Sequence, residues 1–455
     1  MPATRSTATW VLRRLRSAGH QALFAGGCVR DMLLGARSSD YDVATDATPD
    51  QVKSLFRRVL LVGAKFGVAM VIHKGRKVEV TTFRNEESYS DGRRPDRVRF
   101  TTDREDAQRR DFTINGMFYD PLARQVIDYV GGQQDLARRL IRTIGPPQGR
   151  FAEDYLRMLR AVRFAMRLGF SLDPETEAAI RRYAPHITSI SGERIFDELS
   201  KMLSRASAAG ALGKLEELGL AEEILPELLE RPPLWRRALA RVGATAKRAD
   251  LSLTLGAILC ELPGADVSRI IRRWGASNEL RDAIRWMSEH LGDWKVAGIP
   301  AQSQAAHQVH KAPAPGAPEE SRAEPGLSLA GFKCLMANEN FERLTVLLRV
   351  EEQMQTGGGS MSRRIARRAA SVRPEQIAPR PFITGADLKK IGLSEGPRLG
   401  RILRASYEAQ LDEHVHSRKE AFDLVLRMLR GHEDQKEHLG RGSASIRNRN
   451  SQIQN

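Results

Sequence analysis

A switch in hydrophobic periodicity near residue 142 sets the strongest limit on the fold. Before it, short β-branched or alternating runs are interleaved with helical patterns; beyond it only helical spacing recurs, broken by Gly, Pro or Ser. That order predicts an α+β chain, with a small mixed sheet in an N-terminal domain and all-α domains after it. Residues 8–19 read as a short amphipathic helix with Trp10, Val11, Leu12 and Leu15 on its apolar stripe. QALFAGG is a strand entering a double glycine, and CVRDMLLG a helix with Gly35 as C-cap. DYDVAT is a short strand, and TPDQVKSLFRR a helix with Thr48 as N-cap and Pro49 at its first position. VLLVGAKFGVAMVIHKG and RKVEVTTFR are strands meeting at a Lys74-Gly75 hairpin turn. The polar stretch NEESYSDGRRPDRVRFTTD is expected to be a mobile loop, and FAEDYLRMLRAVRFAMRLGF a helix starting near Phe151.

With 455 residues the chain is too long for one ordinary core. Its formal net charge of +16, with arginines in scattered pairs, is the footprint of a protein that holds polyphosphate or nucleic acid, although basic proteins without such ligands exist. Cys28, Cys260 and Cys334 are far apart and form no C-x-x-C pair, which argues against a zinc knuckle or a disulfide framework and for a reducing compartment. No signal-like apolar run opens the chain and no window of about 18 apolar residues occurs, so a cytoplasmic protein without a membrane span is expected. Residues 299–326, rich in Ala, Pro, Gln and Ser, cannot bury a core, and the polar tail beyond about residue 430 is expected to be disordered.

The chemistry starts from Asp40 and Asp42. On a strand, positions two apart face the same side, so both carboxylates project together while Tyr41 points away. Such a pair repels itself when ionised, and Mg²⁺, typically held by one or two carboxylates plus substrate phosphates, relieves the repulsion. In isolation D-x-D is equally at home in a solvated turn. Gly26 and Gly27 just upstream permit a close backbone approach to phosphate, and Arg30 could pair with one. In Lys77-Val78-Glu79-Val80-Thr81 the valines point to the core, which leaves Glu79 on the opposite face with Thr81, either as a third acidic ligand or as a solvated edge-strand residue.

Together these residues form part of a longer succession. GGCVRDMLLG, SSDYDVAT, VEVTTFR, YSDGRRPDRVRF, RRDFTINGM, DYVGGQQDL, EDYLRMLRAVRFAMRLGF and GERIFDEL follow one another over roughly residues 20–205. The order and spacing closely resemble the bacterial class II tRNA nucleotidyltransferase and poly(A) polymerase family. The resemblance implies a polymerase beta-like palm in which Asp40 and Asp42 bind two metal ions, taken as Mg²⁺, with Glu79 as third carboxylate. It makes Gly27 and Arg30 nucleotide-phosphate contacts, Arg110 a contact to the incoming nucleotide, and Asn115 the motif asparagine. Glu153, Asp154, Arg157, Arg160 and Arg163 match the nucleotide-recognition motif. The implied division is a head over 1–142, a neck over 143–205, a body over 206–298, a linker or insertion over 299–330, an RNA-binding helical tail over 331–430 and a disordered end over 431–455.

Asp154 and Arg157 stand three apart, so on a helix they would share one face and present an acceptor beside a donor. Cytosine and adenine carry an exocyclic amine that an aspartate accepts, whereas uracil and guanine show carbonyl oxygens there, so the pair would admit CTP and ATP without a template; an intrahelical ion pair is the alternative for this helix alone. The inferred reaction is attack of an RNA 3′-hydroxyl on the α-phosphorus of a nucleoside triphosphate, with pyrophosphate released. PFITGADLKKIGLSEGPRLGRILRASYEAQLDEHVHSRKEAFDLVLRML resembles the tail that grips tRNA in the tRNA nucleotidyltransferases, which favours CCA addition to the tRNA 3′ end. Phe66 and Ala69 depart from the His-Gly-Thr run of many CCA-adding members and favour a poly(A) polymerase or A-adding enzyme instead, and Gly116 stands where Ala is common. A catalytically silent RNA-binding protein would lack an acidic ligand, and none is missing. In LSLTLGAILCEL, Cys260-Glu261 occupies the place of a His-Asp pair, which argues against phosphohydrolase activity.

Overall fold

The computed structural model describes residues 2–38, 40–61, 66–87, 97–248, 250–298 and 328–430. The chain divides into two compact units, residues 1–285 and 286–455. In the first unit the order is α1 (Arg5–Ser17), β1 (Ala22–Ala25), α2 (Gly27–Leu33), β2 (Asp42–Thr45), α3 (Pro49–Leu55), β3 (Val59–Leu60), β4 (Val68–His73) and β5 (Arg76–Thr82). A ribbon of β6 (Arg84–Glu87) and β7 (Arg97–Phe100), then α4 (Asp103–Gln108), β8 (Phe118–Asp120), β9 (Gln125–Ile127) and α5 (Gly132–Ala137), complete the sheet-bearing region.

Seven strands pair in the order β3-β4-β5-β2-β1-β8-β9. Only β2 and β5 are parallel, with Val43 opposite Val80, so the mixed sheet has one parallel pair at its centre. Val43, Val78 and Val80 are buried on one face, as is the apolar stripe Val11, Leu12 and Leu15 of α1. The alternation therefore leaves Asp42 and Glu79 on the other face.

The local signals behave as read. Thr48 and Gln51 form a full capping box with Pro49 at N1, Gly35 has φ +71, and Lys74 and Gly75 turn the β4–β5 hairpin with φ 48 and φ 73. Several expectations change. Helix α1 starts at Arg5, because Thr4 caps it, and ends at Ser17. The ends of the polar stretch pair as an antiparallel ribbon, Arg84 opposite Phe100, rather than forming a loop throughout; residues 88–96 lie outside the described residues. Beyond residue 142 a strand does occur: β11 (Ser171–Leu172) pairs in parallel with β10 (Leu140–Ile141), too short to leave a pattern in the sequence.

The stretch expected as one helix from Phe151 is two, α6 (Pro147–Glu153) and α7 (Leu156–Leu168). Asp154 between them is extended, with φ −157 and ψ 104. Further helices follow, among them α8 (Pro174–Tyr183) and α9 (Gly192–Leu203), and then Ala208–Glu217, Pro232–Thr245 and Leu251–Leu259. In the second unit, Ile383, Leu388, Ile402, Val415, Ala421 and Val425 form a core. The expected linker, apart from its last residues, and the C-terminal tail lie outside the described residues. All three cysteines are free, and among the described residues no helix is long and apolar enough to cross a membrane.

Candidate active site

A cavity of 610 Å³ opens over the Asp42/Glu79 face of the sheet in the first unit. The parallel register sets Asp42 beside Glu79. Both line the cavity; Asp40, which precedes the strand, does not. Asp40 instead accepts the backbone N–H of Ala3 at 3.2 Å and of Tyr41 at 3.1 Å on Oδ1. The three carboxylates nevertheless feel one another. Asp42 is pushed up to about 7, first by burial and then by Glu79 and Asp40, against the pull of Arg110. Glu79 is raised as well, by partial burial and by Asp40. The nearby Cys28 thiol, pushed up to about 12 by burial and by Asp42, is a packed apolar group rather than a nucleophile.

The oxygen-only donor set fits a hard divalent cation, and like-charge crowding at Asp42 is the strain such an ion would relieve. Among the described residues no cluster of three His, Cys, Asp or Glu side chains forms a ready-made cage. Asp42 and Glu79 meet on the sheet side of the cavity, and Asp40 is not among its lining residues.

Facing this acidic edge, the cavity is lined by arginines, among them Arg30, Arg110, Arg157, Arg160 and Arg163. They are held by carboxylates. Buried Arg30 donates to Asp31 at 2.8 and 2.6 Å and to Asn115 Oδ1 at 2.7 Å. Asn115 passes the link on, donating from Nδ2 to Asp111 at 3.2 Å. Asp111 also accepts Arg160 at 2.9 and 2.5 Å. Burial would raise Asp111, but Arg160 and these hydrogen bonds prevail and hold it down to about 2. Arg160 and Arg163 share the buried Glu198, at 3.7 and 2.5 Å. The guanidiniums of Arg30, Arg160 and Arg163 all lie over the ring of Phe164, at 5.3, 5.5 and 4.2 Å from its centroid, a face that attracts cations and keeps like charges side by side.

Of the double glycine, Gly26 has φ +72, where an L side chain is strained, and a Cβ there would stand 3.0 Å from Arg110 Nη1. At Gly27 a Cβ would meet only the Arg30 guanidinium, at ordinary distances of 3.5 and 4.0 Å. Arg110 is oriented by Asp106, which accepts it at 3.2 and 2.9 Å and Arg109 at 2.9 and 2.7 Å.

Asp154 and Arg157 both line the cavity but do not share a helical face, because the chain breaks at Asp154. Asp154 Oδ1 accepts the Leu156 amide at 3.1 Å and Oδ2 accepts Arg194 at 2.7 Å. Arg157 pairs with Glu153 at 2.5 Å. Acceptor and donor thus line one cavity across a helix break rather than through a three-residue helical spacing.

Several residues of the site escaped the sequence reading. Within GERIFDEL, on α9, Arg194 reaches the cavity by tertiary packing, and the buried Glu198 holds Arg160 and Arg163. The i, i+3, i+4 spacing of Asp106 with Arg109 and Arg110 was a signal available in the sequence.

A mixed sheet that sets carboxylates against a basic cavity suits nucleotidyl transfer, and the relatives of this chain are nucleotidyltransferases. The family described as Poly A polymerase head domain matches residues 22–142, and that described as Probable RNA and SrmB- binding site of polymerase A matches residues 169–231. The CCA-adding enzyme of Geobacillus thermodenitrificans is 44% identical over 275 residues, covering 60% of this chain and 67% of that protein. That of Bacillus subtilis is 42% identical over 292 residues, covering 60% and 72%. The crystal structure of the Bacillus stearothermophilus CCA-adding enzyme in complex with CTP matches with a TM-score of 0.71 at 32% identity, covering 96% of this chain and 100% of that one. The chain belongs to the family of the bacterial CCA-adding enzymes.

Proposed function

We propose that this protein is a template-independent RNA nucleotidyltransferase that adds CCA to the 3′ end of tRNA from CTP and ATP and releases pyrophosphate. The observation that carries the reading is the meeting, in one cavity, of Asp42 and Glu79 with the arginine wall and with Asp154 and Arg157. The triphosphate lies against Gly27, Arg30 and Arg110, and the two guanidiniums offset its charge. The 3′-oxygen attacks the α-phosphorus, the bond to the bridging oxygen breaks, and pyrophosphate leaves. Asn115 and Asp111 keep Arg30 and Arg160 in place, and Glu198 holds Arg163.

Asp154 accepts the exocyclic amine of cytosine or adenine and Arg157 donates to the adjacent ring position. A carboxylate has about four lone-pair sites, so Asp154 can keep Arg194 and the Leu156 amide while it takes the base. Mg²⁺ is the fitting cofactor: Asp40 and Asp42, with Glu79 in support, would hold it, and it would supply acidification of the 3′-hydroxyl and charge stabilisation at the leaving oxygen. Residues 1–142 carry the chemistry, 143–205 read the base, and 206–298 with 331–430 hold the tRNA body in the cytoplasm, with 299–330 as a linker.

The test offers a tRNA lacking CCA, the same tRNA ending in CC, and an unstructured RNA, each with CTP, ATP or both. Two cytidines and one adenosine should be added to the first, one adenosine to the second, and addition should then stop. Long A-tails on the unstructured RNA would overturn this reading in favour of a poly(A) polymerase.

A further inference from the structure

Arg150, in α6, joins the base-reading residues to the region that carries the carboxylates. Its side chain is 17% exposed. Nε donates to the Ile144 carbonyl at 2.6 Å and Nη2 to the Gln108 carbonyl, while Nη1 donates to both oxygens of Glu153, at 3.2 and 3.1 Å. Glu153 Oε2 in turn takes Arg157 Nη1 at 2.5 Å, and the Arg150 carbonyl takes the same nitrogen at 3.1 Å. Gln108 is the last residue of α4, directly before Arg109 and Arg110.

Three features make this more than a surface ion pair. The break at Asp154 separates α6 from α7, so no continuous helix fixes Arg157 relative to Glu153. Two of the acceptors are main-chain carbonyls, which do not follow side-chain rotamers, and a planar guanidinium can hold several acceptors in a fixed fork where an ammonium cannot. Gln108, Ile144 and Arg150 also line a second cavity, of 890 Å³, so Arg150 stands beside open space and its truncation leaves room for water rather than a gap in a packed core.

We propose that Arg150 is a positioning residue for base selection: it fixes Glu153, and through it Arg157, against the backbone that leads into Arg109 and Arg110. The proposal rests on the reading of Asp154 and Arg157 as the base-recognising pair. Loss of Arg150 frees Glu153 to swing toward water and takes Arg157 with it, so the cost falls on nucleotide binding and choice rather than on the chemical step.

The experiment measures single-nucleotide addition by Arg150→Met, Arg150→Lys and Asp154→Ala, with CTP and UTP on a tRNA lacking CCA and with ATP on a tRNA ending in CC. Arg150→Met should raise KM for CTP and ATP about tenfold and lower the CTP-over-UTP preference by a similar factor, the size of one lost hydrogen bond to a charged group, with kcat within about threefold. Arg150→Lys, which keeps the charge without the fork, should shift both in the same direction by about threefold. If Asp154→Ala leaves nucleotide preference unchanged, the base reading fails and the proposal with it. If Asp154→Ala relaxes preference while Arg150→Met keeps wild-type KM and preference, or loses only kcat, the role of Arg150 alone is overturned. Should Arg150→Met not fold, wild-type KM and preference in Arg150→Lys overturn it equally.

Discussion

At the acidic edge of the cavity Asp42 is pushed up to about 7, whereas at the basic wall Asp111 is held down to about 2. Both are largely buried carboxylates, and burial raises each. What differs is the company. Asp42 has Glu79 and Asp40 for neighbours, with Arg110 as the opposing charge. Asp111 has Arg160, the Asn115 amide and a backbone N–H. The wall is a finished network that holds its arginines in place before any nucleotide arrives, a preorganised arrangement that needs no rearrangement during reaction. The edge is left with excess negative charge, so bringing positive charge to it favours its ionised form.

Removing a carboxylate from the edge should have the largest effect. Asp40→Ala or Asp42→Ala should lower CMP incorporation by at least about 10³-fold, because a charged ligand rather than an RNA contact is lost. Binding of tRNA, followed by filter retention on the same preparations, should stay within about twofold. Full activity after either change would dissolve the contrast.

At the wall the prediction concerns stability. The Asp111 carboxyl is depressed from 3.8 to about 2, so it contributes roughly 2 kcal/mol at neutral pH. Because the folded value lies below the ordinary one, that contribution is complete above pH 4 and is lost as pH falls toward 2. Urea unfolding should therefore show Asp111→Asn less stable than wild type near neutrality, with the gap closing across that acid window; a gap independent of pH would break the assignment. The smallest expected effect belongs to Asp154→Ala, which should relax discrimination against UTP and GTP by about tenfold while chemistry with CTP continues. Unchanged preference in competition assays would remove the base-reading role.

How far these features could be read from the chain depends on how local they are. The Thr48-Pro49 helix start, the Lys74-Gly75 turn and the Val78/Glu79/Val80 alternation each rest on a few adjacent residues, and each forms as expected. Asp42 and Glu79 were visible as separate acidic residues, yet their adjacency depends on the parallel β2–β5 pairing, which brings together strands separated by a helix and two other strands. The break at Asp154 was hidden because the apolar spacing of EDYLRML runs through it without a glycine or proline. It is set by the Leu156 amide and by Arg194, 40 residues further on. Arg30 is readable as a phosphate contact, but its anchoring by Asn115, 85 residues away, lies beyond the reach of any periodicity.

The contrast between edge and wall is tested most directly by adding Mg²⁺ to the nucleotide-free protein and following its thermal unfolding. At about 10 mM Mg²⁺ and a pH above 7, the wild type should be stabilised by roughly 1 kcal/mol if the site binds at about millimolar strength, and Asp42→Asn should gain nothing. Arg160→Met, altered only at the wall, should respond as the wild type does. A wild type indifferent to Mg²⁺, or an Asp42→Asn variant that responds equally, would contradict the assignment of the acidic edge as the cation-receiving half of the site.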